Sequence, residues 1–353
     1  MKRLISMNPT TQVVIAVHSP QRPVRRAIDS VLADEEAAVI VVAHNVAPSL
    51  LDIPDDDRVT VIEHTGEKGM PGAPRNTGLA AATSDWVSFL DSDDYFQPNA
   101  LAAMRKRGQQ TDSQYVIAPF FKVGKRTKSW LPTHRTHGLR PQSDGLFYRT
   151  APFGLFRHAA LDGMAYREDV RTGEDIRVST DLWSRKRGIC HFWKDPAYVL
   201  EADQNDRITT TPMDLRESGQ GWHELWDEPF VKNWSNAVRH AYAVKVARIH
   251  VTDAVAARPN EEMWNEGEFD WLVEATRRLM AEDPHADRPL PHGQSELIRA
   301  ICAGDLDEAL ELNQRGWSDQ GPRRAFDQIL EAESPLRWRI KNYVANKRRV
   351  KSA

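Results

Sequence analysis

Residues 73–94 read APRNTGLAAATSDWVSFLDSDD. Asn76 to Ala82 has the Ala-rich texture of a helix, and Trp86 to Leu90 is a short apolar run that passes straight into the acids of 91–94. A buried strand that ends in carboxylates delivers them to the rim of a sheet, where open α/β folds bind their ligands. Upstream the chain alternates in the way such a sheet needs. An apolar β-branched run (Val13 to Val17) is followed by an amphipathic stretch (Val24 to Leu32), a second apolar run (Val39 to Val42) and a third (Val59 to Ile62). Strand, helix, strand is the βαβ signature. The loop GEKGMPGAPRNTG, 66–78, then supplies Gly66, Gly69 and Gly72 for backbone turns.

Downstream, the spacing predicts a helix over 98–108, a strand over 115–123, loop with short strands over 125–150, and a short helix over 153–162. A helix begun by acids follows over 173–188, then a strand over 198–201 and the polar segment ADQNDRITTTP. After Pro212 the patterning becomes helical, with predicted helices at 230–257, 268–282, 294–302, 304–315 and 322–332 separated by Pro, Gly or Asn signals. The domain boundary is placed near 213.

Composition bounds the function. The 353 residues carry 47 Lys plus Arg against 50 Asp plus Glu, a net charge of −3, so no polyanionic partner is demanded and nucleic acid is not expected. Hydrophobic residues make up 41% and Trp occurs eleven times, enough for packed cores, which excludes disorder and fibrous repeats as descriptions of the whole. Cys190 and Cys302 are too few for a disulfide framework or a Cys-based zinc site, which fits a reducing compartment. No apolar run reaches the ~18 residues of a membrane span, and MKRLISMNPTTQ lacks the apolar core of a secretory signal, so a cytoplasmic protein is expected. The last seventeen residues hold Arg337, Arg339, Lys341, Lys347, Arg348, Arg349 and Lys351 with no acid. They read as a solvated basic helix end or as a peripheral contact with an acidic membrane surface.

Two acidic groups can carry chemistry. Asp91 and Asp93, with Asp94 beside them, offer the hard oxygens that suit Mg²⁺ or Mn²⁺ on a diphosphate; the alternative is a set of caps for the helix predicted after Pro98. Gly173-Glu174-Asp175 reads either as acids complementing a helix dipole or as a general base at a helix start. Trp130, Trp183, Trp193 and Trp222 can stack on sugar faces or fill cores.

Together, the 73–94 block and the later Gly-Glu-Asp resemble the nucleotide-sugar half of family 2 glycosyltransferases. That family places Arg-Asn-x-Gly at a helix start, Ser/Gly-Asp before a strand, and Leu-Asp-x-Asp-Asp after it. The resemblance covers about residues 11–212 and implies the GT-A fold, a Rossmann-like, mostly parallel sheet flanked by helices. An all-helical region, 213–353, would follow it and serve acceptor recognition or oligomerisation. The implied activity is inverting, metal-dependent transfer of a hexosyl or N-acetylhexosaminyl group. The donor is a nucleoside-diphosphate sugar, a UDP-sugar first of all, and the acceptor is a hydroxyl of a glycan, polymer or protein. By position, the resemblance makes Asp93 the ligand of Mn²⁺ or Mg²⁺ and puts Asp91 and Ser92 near ribose or phosphate, with Asp94 in support. Arg75 approaches the base or diphosphate, Asn76 fixes the loop, and Gly78 lets the helix lie close on its strand. Ala16, His18 and His44 line the donor from the first two strand ends, and Arg207, with Thr209 or Thr210, clamps the diphosphate. Asp175 is the implied base, with Glu174 orienting acceptor or base.

The chain also departs from the family. Where Pro-x-Tyr-Asn usually ends the first strand it has Ala16-Val17-His18-Ser19, and where Asp-Asp-Gly-Ser ends the second it has Ala43-His44-Asn45-Val46. The acid that reads the uracil edge is therefore replaced. A guanosine or thymidine donor stays open, as does a non-catalytic nucleotide-sugar-binding or scaffold protein with a degenerate site.

Overall fold

The computed structural model describes residues 10–124, 131–185, 188–201 and 213–316, together with 334, 337, 340, 341, 343 and 344. In chain order the first strands and helices are β1 (Thr11–Val17), α1 (Val24–Leu32), β2 (Ala37–His44), β3 (Val59–His64), α2 (Gly72–Ala81) and β4 (Trp86–Phe89). Next come β5 (Tyr95–Phe96), α3 (Ala100–Gln110), β6 (Tyr115–Ile117), β7 (Phe120–Lys122), the one-turn α4 (Pro141–Asp144), β8 (Gly154–Arg157), α5 (Glu174–Ser184), β9 (Ile189–His191) and β10 (Tyr198–Leu200). The remainder is helical: α6 (Leu215–His223), α7 (Asn236–Lys245), α8 (Thr252–Ala256), α9 (Glu268–Glu282), α10 (His292–Ala303) and α11 (Leu306–Arg315).

The chain divides into two compact units. One comprises Met1–Leu131, Arg135–Leu139 and Thr150–Thr211; the other comprises Pro132–His134, Arg140–Arg149 and Pro212–Ala353.

The first unit is built on a seven-stranded sheet in the order β3-β2-β1-β4-β8-β6-β9. Only β8 runs against its neighbours, β4 and β6. All eight residues of β2 are buried, as expected of a parallel strand covered on both faces. Alternation then sorts β1. Val13, Ile15 and Val17 join Val24, Ala27, Ile28 and Val31 of α1 in one core, the i, i+3, i+4, i+7 face of that helix, each fully buried Val or Ile stabilising by about 1.5–3 kcal/mol. Val14 faces the opposite way, under α2, where a Cβ on Gly78 would lie 2.3 Å from its Cγ1. Glycine is thus required for the helix to lie flush on β1 and β2. At the other end of α2 a Cβ on Gly72 would fall 1.8 Å from the carbonyl oxygen of Arg167, so the helix start and the 167–168 backbone can meet only through glycine.

Sequence and structure differ at 153–162. Gly154–Arg157 forms strand β8, and only His158–Leu161 turns into a short 3₁₀ helix. Periodicity cannot separate a four-residue buried strand from a helical turn; Phe156 decides it by stacking on Tyr115 at 4.1 Å inside the sheet. A second sheet, β5-β10-β7, takes in the strand expected at 198–201 as β10, while the strand expected over 115–123 divides into β6 of the first sheet and β7 of the second.

In the second unit the described residues contain helices and no strand. α7 passes through a π-helical turn, Val246–Val251, into α8. Phe147 packs against Trp234 and Tyr242, and Arg248 donates to the Tyr148 hydroxyl at 2.6 Å; this is why residues 140–149 group with this unit. Among the described residues no helix is long and apolar enough to cross a membrane. The helix expected at 322–332 and most of the basic tail lie outside the described residues.

Candidate functional site

β4 ends beside β1, and Leu90 extends the ladder by donating to the Val14 carbonyl at 3.0 Å. The chain then leaves the sheet at Asp91. Its amide donates to the Tyr198 hydroxyl at 3.1 Å, while its carboxylate stays nearly half exposed. Asp94 is buried. It accepts from the Tyr198 hydroxyl and from the Glu201 amide, both at 2.9 Å, tying the end of β10 to the acidic turn. Burial, with Asp91 and Asp93 adding to it, pushes Asp94 up to about 8. Asp93 and Ser92 are also buried. The Asp93 carboxylate pairs with Arg22 at 2.7 Å, and its carbonyl accepts from Arg26. None of these acids caps α3, which begins at Ala100 after Asn99.

The second acidic group arrives at the same place. Gly173, at φ 78°, opens α5, and Glu174 is its first residue, buried. Arg75, in the first turn of α2, donates through one nitrogen to Asp91 Oδ1 at 2.8 Å and through the other to Glu174 Oε1. One planar guanidinium thus joins the acid after β4 to the acid starting α5, a fork that Lys cannot reproduce. Burial opposes the charge on Arg75, but Glu174, Asp91, Tyr166 and Asp175 outweigh it, so its pKa is raised and the group stays charged. Asp175 is partly exposed. Asn76 spends its amide on the main chain of Tyr166, donating to its carbonyl at 2.9 Å and accepting from its N–H at 2.8 Å.

At the neighbouring strand ends stand three histidines. His18, exposed, follows β1; His44 ends β2 in register with His64 of β3. The His44 and His64 rings meet edge to face at 5.4 Å. Burial, then His64 and His18, lower the His44 pKa, which keeps the ring neutral at pH 7. Asn45, at φ 57°, pins Gly66 through both side-chain atoms. Ala16 is half-buried on β1.

Sequence reasoning did not single out Arg22, Arg26, Tyr166 or Tyr198. The basic run around 22–26 was a signal for the first two; nothing local marks the tyrosines, whose partners are distant in sequence. Trp183 and Trp222 are buried in cores. His191 lies within β9 and bonds the Ile117 carbonyl at 3.0 Å. Arg207, Thr209, Thr210 and Trp130 lie outside the described residues.

Charge tests whether a divalent cation suits this group of acids. Asp91, Asp93, Glu174, Asp175 and Glu201 outnumber the guanidinium groups of Arg22, Arg26 and Arg75, and burial first, then Asp91 and Asp93, make Asp94 hold its proton. No three His, Cys, Asp or Glu side chains gather as a ready-made cage among the described residues. Two carboxylates on a surplus of negative charge nonetheless fit an ion of the Mg²⁺ type, which keeps water and substrate phosphate as its other ligands.

Comparison with known proteins agrees with this architecture. Residues 12–167 match the glycosyl transferase family 2 model. The "Putative glycosyltransferase EpsH" of Bacillus subtilis (strain 168) is 30% identical over 238 residues, covering 61% of this chain and 67% of that protein. The poly(ribitol-phosphate) beta-glucosyltransferase of Bacillus spizizenii is 34% identical over 192 residues, 50% of this chain and 30% of that one. The succinoglycan biosynthesis protein ExoO of Rhizobium meliloti is 33% identical over 114 residues, 31% of this chain and 32% of that one. The chain therefore spans about a third of the length of these last two relatives. Among solved structures, Staphylococcus aureus TarS 1-349 in complex with UDP-GlcNAc superposes with a TM-score of 0.70 at 15% identity, covering 86% of this chain and 90% of that one; at that identity the likeness speaks for the fold.

Proposed function

The chain belongs to glycosyl transferase family 2, and on that premise we propose that it is an inverting glycosyltransferase moving a sugar from a nucleoside diphosphate, UDP first of all, to an acceptor hydroxyl. The observation that carries this reading is the Arg75 bridge, which joins the acid at the end of β4 to the acidic start of α5. Asp91 stands on the donor side. Asp175 is the base: its carboxylate takes the proton of the acceptor hydroxyl as the oxygen attacks the anomeric carbon and the diphosphate departs. General-base help of this kind contributes about 10²- to 10⁴-fold. A single displacement with a single base inverts the anomeric centre. Asp91 and Asp93 are the residues that would hold Mn²⁺ or Mg²⁺, which when bound stabilises the charge growing on the departing diphosphate. Glu174 holds Arg75 in place, and Arg75 in turn keeps Asp91 turned toward the cleft.

His44 and His18 are the proposed base-reading side chains. A neutral imidazole presents one donor and one acceptor to a nucleobase edge where the family usually offers a carboxylate. The helical second unit is proposed to seat the acceptor or a second subunit, and the protein is proposed to act in the cytoplasm.

The test is release of UDP and transfer from UDP-sugars by the purified chain with Mn²⁺, alongside Asp175→Asn and Asp91→Asn. Both variants should lose turnover. Turnover undiminished in both sinks the roles assigned, and nucleoside-diphosphate binding without any turnover favours the scaffold alternative.

A further inference from the structure

Tyr166 is fully buried, yet among the described residues its hydroxyl has no hydrogen-bond partner. Other buried tyrosines of the chain behave differently: Tyr198 donates to Asp94 at 2.9 Å, and Tyr242 donates to the Trp222 carbonyl at 2.9 Å. An unpaired buried hydroxyl is costly, and native proteins keep few of them. Tyr166 cannot turn away to relieve it. Its main chain is clasped on both sides by Asn76, its ring is wedged edge-on against Phe89 at 5.0 Å, and the Arg75 guanidinium lies 5.6 Å from the ring centroid. Every one of these contacts would survive with phenylalanine. The hydroxyl is therefore surplus to the fold, and the Tyr166 ring lies under the Arg75 guanidinium that binds Glu174, the residue before Asp175; Arg75, Asp175 and Glu174 all act on it electrostatically.

We propose that Tyr166 is a positioning residue for the transfer reaction, its hydroxyl donating to the Asp175 carboxylate once the acceptor is seated and so aiming the oxygen that takes the acceptor proton. This rests on the reading of Asp175 as the base. Burial holds the phenol firmly in its neutral, donating form. A hydrogen bond that is missing in the resting site and made in the loaded one contributes to turnover rather than to donor binding.

The experiment compares Tyr166→Phe with the wild-type full chain, using UDP-GlcNAc with Mn²⁺ and water or a sugar as acceptor, and records thermal unfolding of both. In Tyr166→Phe, kcat is expected to fall about 10- to 100-fold, the scale of a misaimed reacting group. KM for UDP-GlcNAc should stay unchanged, and Tm should stay level or rise, because the variant removes an unpaired buried polar atom. A variant as fast as wild type overturns the role of Tyr166 alone. A fall in Tm that accompanies the loss of kcat overturns it too, since the hydroxyl would then be structural. A wild-type chain that releases no UDP overturns the reading of the whole site and this role with it.

Discussion

α5 and α9 begin alike. One opens on Gly173-Glu174 and the other on Gly267-Glu268, with both glycines at positive φ (78° and 74°), both glutamates buried, and each glutamate bonded by an arginine. A left-handed backbone turn favours glycine, and the positive end of a helix favours a carboxylate behind it. The surroundings then part company. Glu268 accepts from the amides of Leu215 and Asn265 at 2.5 and 2.7 Å and from two nitrogens of Arg258 at 2.9 and 3.2 Å. Burial pushes its pKa up, but these donors outweigh it and hold it low. Its acceptor capacity is consumed, so it rivets the second unit. Glu174 instead shares its arginine with Asp91, and its next neighbour is the partly exposed Asp175 where Glu268 has Phe269. A carboxylate satisfied on all sides is structure; Glu174, which shares its arginine with an acid from another motif, is the one that the proposed function uses.

Substitution can break this contrast. The largest expected effect is on turnover. Asp175→Asn should lower kcat by about 10²- to 10⁴-fold with thermal unfolding unmoved, and a Tm loss instead would make the α5 start another rivet. Glu268→Ala should lower stability by about 3–5 kcal/mol, the usual result of orphaning one member of a buried ion pair, as read by chemical denaturation of the full chain. A loss near zero would deny the rivet. Arg75→Lys keeps the charge but loses the fork, and should weaken UDP binding about tenfold, or about 1.4 kcal/mol, measured by calorimetry; unchanged affinity would mean that the bridge does not shape the donor side.

The smallest effect sharpens the second unit. His250 is stacked on Trp222 and lies beside Lys245, and burial together with that ammonium holds its pKa far below the ordinary 6.5. The unfolded chain binds a proton in acid that the native state refuses. The stability His250 contributes is therefore present above pH 6.5 and is lost as pH falls below it, by at most about 1.4 kcal/mol per pH unit. Tm against pH should slope downward below 6.5 in the wild type and less so in His250→Gln; equal slopes would remove His250 from the account.

Legibility followed the range of the forces involved. The runs at 13–17, 39–42 and 86–90 could be read because a buried strand is apolar on both faces; the run at 59–62 could be read from its β-branched residues, although β3 is at most half-buried and Val61 is exposed. The helix over 268–282 was legible from its single buried stripe. The Asp91 and Glu174-Asp175 groups were legible as acids at element ends. β8 was not, because four buried residues carry no period, and residues 140–149 were not assignable to the second unit, because their contacts come from aromatic residues about ninety positions away. Arg22 on Asp93 and Tyr198 on Asp94 are pairings across the fold that leave no mark in either local sequence.

The amino-acid order by itself determined that both Gly-Glu pairs start helices, since backbone freedom and helix polarity act over a few residues. Tertiary structure alone decided that Glu268 is enclosed by four donors while Glu174 is linked through Arg75 to Asp91, because a buried carboxylate takes its character from whichever donors the fold brings to it. For Glu174 that donor is an arginine 99 positions away.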